Sequence, residues 1–469
     1  MTQRIAFGLT VTGLATAAFL FGTWISPKTA RSAMQADPLQ AEASDSPFVV
    51  HEWGTFTSFA GSDGVQLDFR PLLDADLPGF VLNRERQAGA RSMLAKSALF
   101  APLRMETPVT YFYVDEPREV RVKVQFPQGL LTEFYPPVRK MLPVYDTKIP
   151  TVRGPSELDW GQVLLIPEAA LEPQLKDDVL SALLAAHLMR NAPPADNGYG
   201  HYGAARETDS ALVAVNLPTV AAPAGTDVFS MTLPAPSGLH VEKFLFYRGV
   251  GKFDLPLQAQ VESTGRVQVT NTGAEPITSL FLIDVQGPRN QQRILRASHP
   301  SIDAAGTATL AFTNETISLA DLCLEVQQAL VAEGLFEKEA AAMVKTWSDS
   351  WFQEQGLRLF YMVPQSLTDR VLPLTVDPPP DETIRVLVGR MELLPPQQET
   401  EIAKVVHDYR LAREERSVRG ETEPPPMPEV IATLGRFAEP ALIRVRELTK
   451  DQHDSAEAGR LIARIRAAN

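Results

Sequence analysis

Three short stretches bring together residue types that do chemistry. His51-Glu52-Trp53 sets an imidazole beside a carboxylate, a pair able to bind a metal ion or relay a proton. His201-Tyr202, followed by Arg206-Glu207-Thr208-Asp209, supplies an imidazole, a phenol, a guanidinium and two carboxylates after a glycine-rich lead-in. Arg206 has the planar fork that grips a carboxylate or phosphate. Glu207 and Asp209 can act as acid and base, or as calcium ligands. Tyr247-Arg248, taken with Trp347 and Trp351, offers aromatic faces and a cation, the elements of a sugar-stacking or cation–π platform.

Each stretch also has a plainer meaning. Adjacent side chains of a strand point to opposite faces, so His51 and Trp53 share one face and Glu52 takes the other. A metal site built from His51, Glu52 and His201 therefore needs a bulge or a loop at that point. The polar residues of 201–209 also suit an ion-pair network that fastens the loop to a sheet. Met343, Trp347 and Trp351 recur every four residues, which suits the core face of a helix. Cys323, on an apolar helical stripe, reads as a small hydrophobe, and His187 as a core histidine. No HExxH, GxSxG, GxxxxGK[ST] or EF-hand word occurs, which lowers the expectation of the common hydrolases and nucleotide enzymes. The sequence leaves the cofactor unknown.

The elements that must position these residues can be read from periodicity. Residues 109–114 are a continuous apolar run and 120–126 alternate with period 2, joined by Asp115-Glu116-Pro117-Arg118, so a hairpin is expected over 109–126. Phe48 to Phe59 reads as a strand, and residues 84–100 as a short helix. Leu175, Val179, Leu183, Leu184 and Leu188 predict a helix over 168–192, ended by Pro193-Pro194. Short strands with frequent turn clusters over 210–315 suggest an immunoglobulin-like antiparallel sandwich. Ser318 is placed to cap a helix carrying Leu322, Val326 and Leu330, and a second helix covers 337–354. Strand-like runs at 357–363 and 384–394 precede a charged helix at 397–419, read as a solvated face. A proline-rich linker at 423–428 leads to a helical hairpin that resembles a single HEAT-type unit, which must dock on the body or a partner.

Composition narrows the setting. The net charge of −13 repels phosphate backbones, so a nucleic-acid partner is not expected. Proline is 38 of 469 residues, which argues against an all-helical bundle. One cysteine excludes an intrachain disulfide. Residues 5–25 carry no charge, and a helix of that length spans a bilayer core of about 30 Å. A small-residue site, Ala30-Arg31-Ser32, leaves a cleaved signal as the alternative to an anchor.

Six words in order, HEWGTFTS at 51–58, METPVTYFY at 105–113, FPQGLLTEFYP at 126–136, ARETDSALV at 205–213, FLFYRGVG at 244–251 and VGRMELL at 388–394, resemble an uncharacterised family of exported bacterial proteins opening with HEWGTFT. The resemblance implies only an exported, mixed β/α body, and no functional residue carries over from it.

The sequence thus predicts an α+β protein: an anchor or signal at 1–33, a tether at 34–46, a β-rich domain at 47–209, a sandwich at 210–315, an α/β region at 316–421 and a helical end at 422–469. The leading functional expectation is an envelope protein outside the cytoplasm, held to the bilayer through residues 5–25, that binds a surface partner or glycan through His201, Tyr202, Arg206, Tyr247 and Arg248. The alternatives are an exported hydrolase of an ester or glycosidic bond using Glu207 and Asp209, and a metal-binding protein using His51, Glu52 and His201. A shared site requires residues 51–53, the 199–209 loop and Tyr247-Arg248 to meet around one cavity, and a separation beyond about 15 Å would exclude it.

Overall fold

The computed structural model describes residues 47–69, 77–84, 101–143, 155–171, 200–217, 238–313 and 315–468. The apolar stretch 5–25 and most of the helices expected over 84–100 and 168–192 lie outside the described residues. Among the described residues no helix is long and apolar enough to cross a membrane.

The chain begins with β1 (Val49–Ala60), followed by β2 (Leu82–Asn83), β3 (Leu103–Tyr113), β4 (Arg118–Phe126), β5 (Gly129–Tyr135), β6 (Lys140–Leu142) and β7 (Ser156–Ile166). After the short helix α1 (Gly200–Ala204) come β8 (Leu212–Leu217), β9 (Gly238–Glu242), β10 (Leu245–Gly251), β11 (Leu257–Val261) and β12 (Val267–Asn271). The strands β13 (Ile277–Gln286), β14 (Arg293–Ile302) and β15 (Thr307–Leu310) lead to the helices α2 (Leu319–Ala332) and α3 (Glu337–Phe352). Then follow β16 (Gly356–Val363), α4 (Gln365–Val371), β17 (Leu374–Asp377) and β18 (Glu382–Leu393). The chain closes with α5 (Pro396–Val418), α6 (Glu429–Ala432), α7 (Ala438–Leu448) and α8 (Gln452–Ala468). The fold is α+β, strand-rich towards the N-terminus and helical towards the C-terminus.

A nine-stranded sheet in the order β14-β13-β16-β18-β1-β3-β10-β5-β2 forms the middle layer. Its two faces have different covers. On one side Trp53, Tyr111, Phe246, Ile283, Phe360 and Val386 pack against α2 and α3 through Leu322, Leu330, Met343 and Trp351. On the other, Val50, Phe112, Leu282 and Leu359 meet a six-stranded sheet (β17-β4-β7-β8-β9, with β6 beside β7) and a three-stranded sheet (β11-β12-β15). β1 is central and buried along nearly its whole length, and it pairs in parallel with β18 from the far end of the sequence.

Three sequence expectations change. β3 and β4 are not a hairpin: β3 pairs with β1 and β10, whereas β4 pairs with β7 and β17 in the other sheet. The turn at 115–117 carries the chain between layers. The difference is visible in burial, since β3 is buried on both faces while β4 alternates. The strands of 210–315 are dealt among all three sheets, so that stretch is no free-standing sandwich, and the nine-stranded sheet crosses both 209/210 and 315/316. The charged helix α5 is not merely solvated. It buries Ile402, Val406 and Tyr409 under α7 and α8, together with Phe59, Leu67 and Phe69 of the body. The linker docks too, with Tyr409 OH and Arg464 Nη1 donating to the Pro425 carbonyl at 3.0 and 2.6 Å.

The caps fall where expected. Ser318 Oγ accepts from Asp321 N at 3.1 Å, starting α2.

Candidate functional site

Strand alternation in β1 sends its two chemical residues apart. His51 and Glu52 are each fully buried, His51 beneath α3 and Glu52 between the two large sheets. They cannot share an ion, which removes the joint metal site with His201. The described residues hold no cluster of three or more metal-ligating side chains.

Glu52 is the centre of a closed polar knot. Sheet register places Arg385 and Thr110 directly opposite it on the two neighbouring strands. Arg385 Nε donates to Glu52 Oε2 at 2.8 Å, and Thr110 Oγ1 and Tyr247 OH donate to Oε1 at 3.0 and 2.5 Å. Arg385 Nη1 reaches outwards to the half-exposed Asp369 of α4 at 2.8 Å. Burial raises the Tyr247 hydroxyl well above its usual range, and the Glu52 charge raises it further. For Arg385 burial opposes the charge, but the pull of Glu52 outweighs it and the net shift is upward. The phenol is thus fixed as a donor, the guanidinium as a cation and Glu52 as their acceptor.

His51 belongs to a second knot. Its Nδ1 lies 2.7 Å from Glu339 Oε2, which also accepts from Phe336 N at 2.9 Å, and Tyr113 OH donates to Oε1 at 2.7 Å. Glu339 is the third residue of α3, so the same carboxylate caps the helix and pins its start to the sheet. His51 Nε2 has no partner among the described residues, and the Phe336 ring lies 4.4 Å from the imidazole. Burial, then the Glu339 charge, push Tyr113 upward.

The other end of α3 is held by residues that carried no warning in the sequence. Arg358 Nη1 donates to the carbonyls of Trp351 and Glu354 at 2.7 and 2.8 Å, and Arg390 Nη2 to that of Ser350 at 2.9 Å. Both arginines also grip the buried Glu392. Cations at a helix C-terminus complement its dipole and satisfy its last carbonyls. The apolar runs of β16 and β18 give the strands, but not which charged residues would face the helix.

The 201–209 stretch proves to be a fastening. Tyr202 is buried against Phe244 and Phe246. Arg206 makes a two-point bond to Glu242, Nε to Oε1 at 2.8 Å and Nη2 to Oε2 at 2.5 Å, and sits over the Tyr202 ring. Glu207 and Asp209 are exposed and pair with Lys345 and Lys338 of α3, both at 2.5 Å. The His201 carbonyl accepts from Thr346 Oγ1 of the same helix at 3.1 Å. These contacts are those of an ion-pair network, and the acid–base role gains no support from them. Tyr247 and Arg248 are likewise buried, Arg248 Nε donating to Glu133 at 2.9 Å. Trp351 is core and Trp347 packs beside it, stacked at 6.2 Å. None of these groups forms an exposed platform.

The three stretches are joined through the core, residues 51–53 to Tyr247 directly and to the 201–209 stretch through Tyr111. Tyr111 OH donates to the Ala205 carbonyl at 2.7 Å beside Trp53, and Tyr247 touches Glu52 on the opposite side of the sheet.

A concave surface lies elsewhere. An open cleft of about 630 Å³ is bounded by the β11–β12 turn, the ends of β13 and β16, and the first turn of α5. At its wall stands Asp284, half-buried, whose carboxyl is raised above the ordinary aspartate value mainly by burial. Nothing in the sequence pattern marked this residue, because the cleft joins segments from six places in the chain.

No family model matches this chain, and no curated protein matches it. Among solved structures, a Danio rerio Fcho1 Mu homology domain with bound Eps15 peptide matches at 8% identity and a TM-score of 0.26, covering 74% of this chain and 97% of that one. A yeast delta-COP-I mu-homology domain complexed with a Dsl1 WxWxV peptide matches at 6% identity and 0.21, covering 75% and 98%. At these scores the likeness establishes neither a shared fold nor a shared function.

Proposed function

We propose that this chain is an exported envelope protein, held at the membrane through residues 5–25, whose body binds a surface partner or glycan without transforming it. One observation carries the binding role. The carboxylates best placed by sequence for acid–base work are already engaged, Glu52 by Arg385, Glu207 by Lys345 and Asp209 by Lys338. Glu52 is sealed in the core and Glu207 and Asp209 sit in exposed ion pairs, so the open cleft, with its mixed polar and apolar lining, is left as the surface for recognition. The acidic balance, −13 overall, favours neutral or cationic partners over polyanions.

The experiment uses the full-length chain in detergent, presented to envelope fractions and to glycan arrays. Retention of a specific protein or glycan supports the role, and its absence from both removes it. Cell fractionation tests the address separately: full-length product free in the cytosol contradicts export.

A further inference from the structure

The cleft at the end of β13 has a composition that selects its ligand. Building on the binding role proposed above, we infer that it is a recognition site for a neutral, hydroxyl-rich ligand, an oligosaccharide, with Asp284 and Gln398 as its principal hydrogen-bonding groups.

The two central strands beside the cleft have their backbone groups paired. Asp284 stands opposite Leu295 on β14 and Leu357 on β16, so β13 is paired on both sides there. β12 is likewise paired with both β11 and β15. The lining joins apolar side chains, among them Leu295, Phe312 and Leu357, to a set of polar ones. Asp284 and the amides Gln286, Gln397 and Gln398 line the cleft, with Arg266 at the rim.

Some of these groups are tied and some are open. Gln286 Nε2 donates to Asp284 Oδ2 at 2.6 Å, which orients the carboxylate and leaves Oδ1 with no partner among the described residues. Gln397 Nε2 donates to the Ser263 carbonyl at 2.5 Å and closes one rim, leaving its amide oxygen as an acceptor. Gln398 is half-buried and its amide makes no hydrogen bond within the described residues. An oriented carboxylate oxygen accepts from a hydroxyl, while an open amide donates and accepts at once. That pairing matches the adjacent donor and acceptor hydroxyls of a sugar ring. Phe312, partly buried in the wall, supplies an apolar surface for its CH face. The volume, about 630 Å³, lies within the range of small-ligand sites, about 300–1,000 Å³. Asp284 disfavours anionic sugars, since a second carboxylate beside it adds like-charge repulsion.

The test is titration calorimetry of the full-length chain, in a detergent without a sugar headgroup, with maltohexaose, mannohexaose and a β-glucan hexaose. At least one should bind, and Asp284→Asn and Gln398→Ala should each weaken it tenfold or more, while Glu207→Gln leaves it unchanged. If the sugar binds but both cleft variants bind as tightly as the parent, the cleft is the wrong place and the binding role stands. If none of these sugars binds while an envelope protein is retained, the ligand class is wrong and the role stands. If nothing is retained from any source, both fall.

Discussion

Glu52 and Arg385 stand directly opposite each other on adjacent parallel strands, Oε2 to Nη2 2.6 Å apart, with both side chains sealed from solvent. The same arrangement recurs at Arg358 and Glu392, and at Arg248 and Glu133, both across antiparallel pairs of the same sheet. A one-residue slip would break each pair and send its charges to the wrong face. These pairs fix register where apolar residues alone would tolerate sliding. The price is desolvation, so single substitutions there should be severe.

Glu52→Gln strands the Arg385 cation in the inter-sheet core. Loss of one partner of a buried pair costs about 3–5 kcal/mol, whereas Tyr247→Phe, which removes one hydrogen bond to the same carboxylate, should cost about 1–3 kcal/mol. Thermal and urea unfolding of the two variants will check the order. Equal losses would show that Glu52 is held mainly by the phenol.

Glu339 serves His51, Tyr113 and the Phe336 amide at once. Glu339→Ala should therefore destabilise by more than Tyr113→Phe, the first leaving three groups unpaired at about 1–3 kcal/mol each and the second removing one bond. Hydrogen exchange should show the first turn of α3 opening earlier in the alanine variant. Unchanged protection there would mean that Glu339 does not clamp the helix.

Arg390→Lys keeps the charge but loses the fork that spans Glu392 and the Ser350 carbonyl. A clear fall in melting temperature is expected, with faster exchange confined to the C-terminal turn of α3. Glu207→Gln and Asp209→Asn, by contrast, break exposed pairs and should each change stability by no more than about 1 kcal/mol.

The acid response should reside in the C-terminal helices. The Asp454 carboxyl is lowered: burial opposes this, but bonds to Arg410 and His407 outweigh it. The Asp63 carboxyl is lowered by Arg444 in the same way, against burial. A depressed folded value means that the stabilisation is fully present above the unfolded value, about 3.9, and is lost as pH falls below it. Asp454→Asn should flatten the stability profile below pH ~4. A profile identical to that of the parent would contradict this.

Asp284 has the opposite sign. Its carboxyl is raised by burial, so the charged form costs stability once pH rises past the unfolded value. Asp284→Asn should unfold at a slightly higher temperature at neutral pH than the parent. A lower melting temperature would mean that the carboxylate is structural.

Local pattern determined much of this protein. The alternation of residues 120–126, the stripe Leu322-Val326-Leu330 with its Ser318 cap, and the four-residue recurrence of Met343, Trp347 and Trp351 each follow from backbone geometry, which repeats every 2 or about 3.6 residues regardless of context. Strand alternation likewise told that His51 and Glu52 would part. Tertiary structure decided everything that joins distant segments. Asp115-Glu116-Pro117 is as good a turn for an arch between sheets as for a hairpin, and only the partners available to β3 and β4 chose between them. The pairing of Glu52 with Arg385, the arginines at the end of α3 and the assembly of the Asp284 cleft depend on contacts between residues far apart in the chain. Such contacts leave no periodicity behind, because a charged residue looks the same in sequence whether its partner is water or a buried opposite charge.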